Sequence, residues 1–211
     1  MNPILRWMFT LCIAYPIVWI WLGVRVAGRK KLPKEGPAII VANHNSHLDV
    51  LTLFTLFPLS TLVNVQPVAA ADYFLRNKII AWFALKVIGI IPVKRGAHEA
   101  NPLQTCIDAL HDNKIVIIFP EGTRGVPGKL SEIKSGIWYL TQKCPNVPVI
   151  PVYMHGLDRS MGKGQKIPVP FFIDIFIDEP LFCDADKATF KQSLLNRFIS
   201  LQQQATRKYY E

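Results

Sequence analysis

A series of short apolar runs limits what this chain can fold into. Ala38-Ile39-Ile40-Val41 and residues 62–69, 114–119, 148–153 and 171–177 are rich in β-branched side chains and too short for buried helices, so they read as strands. Residues 48–57, 74–88 and 101–113 between them have the length and apolar content of helices. Residues 89–96 read as a further short strand ending in two cations, Lys94 and Arg95. From Asp184 onward Phe190, Leu194, Leu195, Phe198 and Ile199 recur at helical spacing on one face. Strands alternating with helices imply an α/β fold, a mixed or mainly parallel sheet covered by helices on both faces.

Ahead of this pattern lies an almost unbroken apolar run, residues 7–24, with Trp7, Tyr15, Trp19 and Trp21 as interfacial aromatics. It is at the short edge of what spans a bilayer, and Pro16 interrupts its middle. No small-x-small cleavage site follows, which argues against a secretory leader. Instead Arg25, Arg29, Lys30, Lys31 and Lys34 follow at once, and the positive-inside rule then sets the main domain on the cytoplasmic side. The reading is a membrane-anchoring helix with a basic flank over residues 1–31 and one catalytic domain over 32–211. The helix either spans once or lies within one leaflet.

Composition agrees with a membrane surface. Half of the 211 residues are hydrophobic, 18% are charged, the net charge is +9, and mean hydropathy is +0.22. A basic, apolar chain suits anionic lipid or anionic substrates, and no nucleic-acid motif accompanies the charge. Cys12, Cys106, Cys144 and Cys183 are scattered without CxxC spacing and read as reduced, buried thiols.

The first strand runs into Asn43-His44-Asn45-Ser46-His47-Leu48-Asp49, at a junction where α/β proteins commonly carry chemistry. On a continuous helix His44 and Asp49 would point about 140° apart, so the chain must turn between them. Ser46 to Asp49 fits a capping box, with Ser46 as N-cap and Asp49 at the third helical position. His44 can then fold back over the carboxylate. A carboxylate on one imidazole nitrogen fixes the tautomer and leaves the other nitrogen as a general base. No serine or cysteine nucleophile stands beside it, so the base would act on a hydroxyl of the substrate. A helix cap with a loop histidine is the plainer alternative.

Other strand ends add Lys94 and Arg95, then Glu121, Thr123 and Arg124. A base, a cationic pair and a Glu/Arg pair converging on one crevice suit activation of a hydroxyl on a phosphate-bearing molecule.

At these residues the chain resembles the glycerolipid acyltransferase family of the lysophosphatidic-acid type. Asn43 to Asp49 match its NHxxxxD block and Phe119 to Arg124 its FPEGTR block, about 70 residues apart. Gly89 to Arg95 and Val147 to Val152 match two weaker blocks, and the likeness covers roughly residues 30–180. The resemblance implies the family's layered αβ fold. It implies acyl transfer from acyl-CoA or acyl-carrier protein to a lysophospholipid hydroxyl, first 1-acyl-sn-glycerol 3-phosphate, giving phosphatidic acid. His44 would be the general base and Asp49 its partner. Arg95, Glu121, Gly122, Thr123 and Arg124 would bind the acceptor phosphate, with Asn43 and Lys94 as further candidates. Neither metal nor prosthetic group would be needed, and a backbone amide would stabilise the oxyanion. Gly125 stands where many members have serine, and Pro92-Val93-Lys94-Arg95 replaces a more aromatic run. The basic loop over residues 159–166 reads as solvated, with contact to the donor's phosphates as the alternative.

The same chemistry on another lysophospholipid, on glycerol 3-phosphate or on an amino-lipid is the first alternative. A metal-dependent hydrolase would use His44, His47 and Asp49 but needs further ligands, and His98, His111 and His155 do not cluster in the sequence. A catalytically silent membrane protein is the remaining rival.

Overall fold

The computed structural model describes residues 1–94, 102–123, 125, 130–162 and 169–207. It opens with helix α1 (Pro3–Leu22). The buried residues of α1 are Arg6, Thr10, Ala14, Val18 and Leu22, one every fourth position. On an α-helix a step of four turns about 400°, so such a stripe would drift by ~40° each time. The helix holds the stripe on one face by widening to π-type turns over Thr10–Ala14 and Pro16–Leu22. Pro16 starts the second wide segment and does not interrupt the helix.

Arg6 fixes this helix to the body of the protein. Its guanidinium donates to the carbonyls of Leu62, Val65, Val87 and Ile88 and lies 4.9 Å over the Phe54 ring. A buried cation requires such partners. Asn2 N also donates to Lys86 O at 2.8 Å and Trp7 Nε1 to Leu59 O at 3.0 Å.

Then follow β1 (Val24–Ala27), β2 (Ala38–Ala42), α2 (Asp49–Phe54), α3 (Leu59–Leu62), β3 (Val65–Ala70), α4 (Ala71–Phe74) and α5 (Lys78–Phe83), which continues as a π-type turn over Ala84–Ile88. The remainder is β4 (Ile91–Val93), α6 (Gln104–His111), β5 (Ile115–Ile118), α7 (Gly136–Lys143), β6 (Val149–His155), α8 (Leu157–Met161), β7 (Ile173–Ile177) and α9 (Lys187–Arg207). The strands form one sheet in the order β1-β7-β6-β2-β5-β3-β4. From β6 to β4 all neighbours are parallel. β7 pairs antiparallel with β6, and β1 parallel with β7. The sheet is therefore mixed but mostly parallel, as expected.

One face of the sheet packs Ile40, Ile117, Val152 and Ile175 against Phe54, Phe57 and Leu22. The other packs Ile39, Val116, Tyr153 and Phe176 against Ile107, Ile137, Phe198 and Leu201. Alternate residues of each central strand thus serve opposite layers, as a doubly covered sheet requires.

Several boundaries differ from the sequence reading. β3 begins at Val65, because Leu59–Leu62 forms a short helix after Pro58. The expected helix over 74–88 is broken, since Asn77 caps a new one by accepting from Ile79 N at 2.9 Å and Ile80 N at 3.3 Å. β1 was hidden inside the basic flank. Arg25 is tolerated on this edge strand because it pairs with buried Asp174 on β7 at 2.8 Å. On α9, Phe190, Leu194 and Phe198 face the core, whereas Leu195 is half-buried and Ile199 exposed.

The cysteines are free, but only Cys106 and Cys144 are buried; Cys12 is exposed and Cys183 half-buried. Burial pushes the Cys106 thiol up to about 12, which leaves it protonated and unreactive at neutral pH.

Candidate active site

β2 and β5 are neighbours and end side by side, which brings the Asn43–Asp49 loop against the Phe119–Gly125 loop. The chain turns sharply after β2, and His44 Nδ1 meets Asp49 Oδ2 at 2.7 Å. The same oxygen accepts from Asn45 N at 2.8 Å and Ser46 N at 3.0 Å. A carboxylate oxygen only accepts, so Nδ1 carries the proton and the Nε2 lone pair remains. The Asp49 side chain is 1% exposed and that of His44 25%. A sealed anion thus backs a ring that reaches solvent.

The capping box is present in modified form. Asp49 reaches back to Ser46 N, while Ser46 Oγ accepts from Leu48 N at 3.1 Å. Regular helix begins only at Asp49, so the capped turn precedes α2. The Ser46 hydroxyl also donates to Met161 O at 2.7 Å, which ties the loop to α8.

The second loop holds His44 by three contacts. Glu121 Oε1 accepts from His44 N at 3.0 Å, and Gly125 N donates to His44 O at 2.9 Å. The Phe119 ring stacks on the imidazole with centroids 4.3 Å apart. A Cβ on Gly125 would come within 2.6 Å of Glu121 Oε2, so a side chain there would require the carboxylate end to shift. Gly122 adopts a left-handed φ of 71° and donates its N–H to Phe119 O at 3.0 Å. A side chain at Gly122 would meet the amine of Lys134 at 2.7 Å. Lys134 is therefore a cation beside the site that the sequence pattern did not reveal. Thr123 is exposed on the same loop.

Asn43 belongs to the frame. It donates from Nδ2 to Met154 O at 2.9 Å and accepts from Met154 N at 2.7 Å, so its amide extends the β2–β6 ladder by one step. Lys94 is exposed just past β4. It stands three strands across from β2, about 14 Å at normal strand spacing. His47 is exposed in the turn before α2. Arg95 and Arg124 lie outside the described residues.

Glu121, expected at the acceptor phosphate, is 6% exposed and bonded to the His44 backbone. Two roles, positioning and substrate binding, separate in kinetics. With Glu121→Gln, Oε1 is kept and activity should stay within about threefold, whereas Glu121→Ala leaves the His44 N–H unpaired and should lower kcat about tenfold or more with little change in the acceptor KM. A large KM rise in Glu121→Gln would instead assign the carboxylate to the substrate.

Residues 23–155 match the protein-family model described as Acyltransferase. The chain belongs to the acyltransferase family. Among its relatives, the chloroplastic 1-acyl-sn-glycerol-3-phosphate acyltransferase of Arabidopsis thaliana is 30% identical over 152 residues, 71% of this chain and 40% of that one. The corresponding protein of Brassica napus is 31% identical over 149 residues, 67% of this chain and 40% of that one. The chain thus aligns with less than half the length of either relative. The crystal structure of the 1-acyl-sn-glycerophosphate acyltransferase of Thermotoga maritima superposes with a TM-score of 0.72 at 22% identity, covering 94% of this chain and 81% of that one. At that identity the likeness establishes the fold.

Proposed function

We propose that this chain is a membrane-surface O-acyltransferase that moves an acyl group from an acyl thioester to the hydroxyl of a lysophospholipid. The observation that carries the reading is the His44–Asp49 pair, with Nδ1 bonded to the buried carboxylate and the imidazole side chain 25% exposed. The Ser46 hydroxyl beside it donates to Met161 O, which leaves the base to act on a hydroxyl brought by the substrate.

In the proposed step the acceptor oxygen attacks the thioester carbonyl carbon while His44 Nε2 takes the hydroxyl proton. The tetrahedral intermediate then expels the thiolate, which takes that proton from the imidazolium and leaves as free thiol. Asp49 stabilises the transient imidazolium and holds the ring's orientation. The N–H groups of His44, Gly122 and Gly125 all have intramolecular acceptors, so none of them is assigned to the oxyanion.

Two relatives carry the name 1-acyl-sn-glycerol-3-phosphate acyltransferase, which favours that lipid as acceptor and phosphatidic acid as product. Its phosphate would meet Arg95 and Arg124 as the resemblance implies, with Gly122, Thr123 and Lys94 around it and the Lys134 amine nearby. Acyl-CoA or acyl-carrier protein would be the donor.

Membrane association is part of the reading. The outward side of α1 presents Ile4, Met8, Leu11, Ile20 and Trp21, and the adjacent α5 presents Ile79 and Trp82. Phe9 and Phe83 join the two helices edge to face at 5.3 Å. Because Arg6 pins α1 along the domain, the helix would lie in one leaflet as the membrane-facing segment. The expected boundary at residue 31 moves back to the end of α1, because β1 pairs with β7 in the sheet, and the body that follows α1 would then stand on the cytoplasmic side.

The test is an acceptor panel. Protein in detergent is supplied with palmitoyl-CoA or palmitoyl-carrier protein and with lysophosphatidic acid, other lysophospholipids or glycerol 3-phosphate, and the products are read by mass. Phosphatidic acid as the main product is expected. A different acylated product would reassign the acceptor, and no product from any pair would overturn the reading.

A further inference from the structure

We propose that the segment Val169 to Phe172 is a separate lipid-contacting patch, and that it seats the catalytic end of the sheet on the membrane leaflet. The inference rests on the membrane reading above. Phe172 is 69% exposed and Val169 52%, and exposed apolar groups mark a contact surface where they adjoin others.

The patch continues the apolar side of α1. That helix starts beside Leu62 and Val65, at the amino end of β3. It finishes at Leu22, where Gly23 O accepts from Ile173 N at 3.0 Å. β7 runs opposite to β6, so Ile173 lies at the same end of the sheet as the His44 loop. α1 therefore crosses the sheet diagonally over about 30 Å and delivers its exposed end, Ile20 and Trp21, to the catalytic edge. A Cβ on Gly23 would touch the Phe172 ring at 3.0 Å, which leaves no gap between helix end and patch.

The patch is also braced to the site. Val169 N donates to Ser160 O at 2.8 Å, and Met161 O on the same helix accepts from Ser46 Oγ. β7 stands two strands from β2, about 10 Å, so lipid at Phe172 is lateral to His44 and not remote from it. Arg159 lies 5.1 Å over the Phe171 ring, a cation at the rim of an apolar patch. That arrangement suits anionic headgroups above acyl chains. The occupant is a lipid leaflet.

Flotation of the full chain with vesicles of phosphatidylcholine containing a minority of phosphatidylglycerol tests this without relying on turnover. Phe172→Ser should lower partitioning about tenfold, the scale expected for removing one largely exposed phenyl from lipid. Phe172→Trp should restore it, and both should melt with the wild type because the ring is not in the core. Wild-type flotation with unchanged flotation of Phe172→Ser would overturn this inference alone. Wild-type protein that does not float would overturn the membrane reading as well. If Phe172→Ser converts a dimer to a monomer without altering flotation, the patch belongs to a second copy of the chain and the inference is wrong.

Discussion

His44→Ala is expected to lose activity by about 10²–10⁴-fold, the range typical of a general base, while folding as the wild type does. The side chain contributes one hydrogen bond, to Asp49, and a stack on Phe119, and it is a quarter exposed. The turn survives its removal, because Asn45 N and Ser46 N still bond Asp49. Thermal melting should therefore move by no more than a few degrees. Loss of activity with an intact melt identifies a chemical role, whereas retention of more than about a hundredth of the activity would remove His44 from that role.

Asp49→Ala should behave differently, because this carboxylate serves both the reaction and the fold. One oxygen accepts three hydrogen bonds in a nearly sealed position. Without it two backbone N–H groups lose their acceptor, at about 1–3 kcal/mol each, and at about 2–4 °C per kcal/mol for a chain of this size the melt should fall by several degrees or more. Activity should fall at least as far as in His44→Ala. Asp49→Asn separates the two roles. An amide oxygen in the same place keeps the N–H partners and most of the stability. The negative charge behind the imidazolium is gone, however, so activity should stay down by at least about tenfold. Melting and rate measured on both variants check this, and an Asp49→Asn enzyme as active as the wild type would contradict it.

These two residues were legible in the sequence because their geometry is local. A spacing of five with a serine between them forces a turn, and that turn has few forms. The central strands were equally legible, since β2 and β5 are β-branched runs, β6 and β7 are short and mostly apolar, and all four are buried on both faces. What sequence reasoning missed depends on distant partners. Arg25 looks like part of a solvated basic flank until Asp174, far along the chain, is placed beside it. Arg6 interrupts an apolar helix for no local reason, and its partners are backbone carbonyls at four positions between Leu62 and Ile88. The work of Glu121 was hidden in the same way. A carboxylate in a loop of polar residues reads as a substrate ligand, and only the adjacency of β2 and β5 shows that one of its oxygens also holds the His44 backbone. Phe119 left one faint mark, an aromatic closing an aliphatic strand at the edge of the site. Lys134 left none.

The period of four in α1 was also present in the sequence. Read as hydropathy alone, the segment is a candidate span broken by proline. Arg6, Thr10, Ala14, Val18 and Leu22, taken as a stripe, describe a helix lying along a surface and widened to keep that stripe in contact.

The measurement that bears most directly on the whole account is CoA release from palmitoyl-CoA by wild-type protein and His44→Ala, each with and without lysophosphatidic acid. Release is expected only when both the acceptor and His44 are present, with no stoichiometric burst in the acceptor's absence. Equal release by the His44→Ala protein, or a burst of one thiol per enzyme without acceptor, would contradict direct attack by a base-activated lipid hydroxyl.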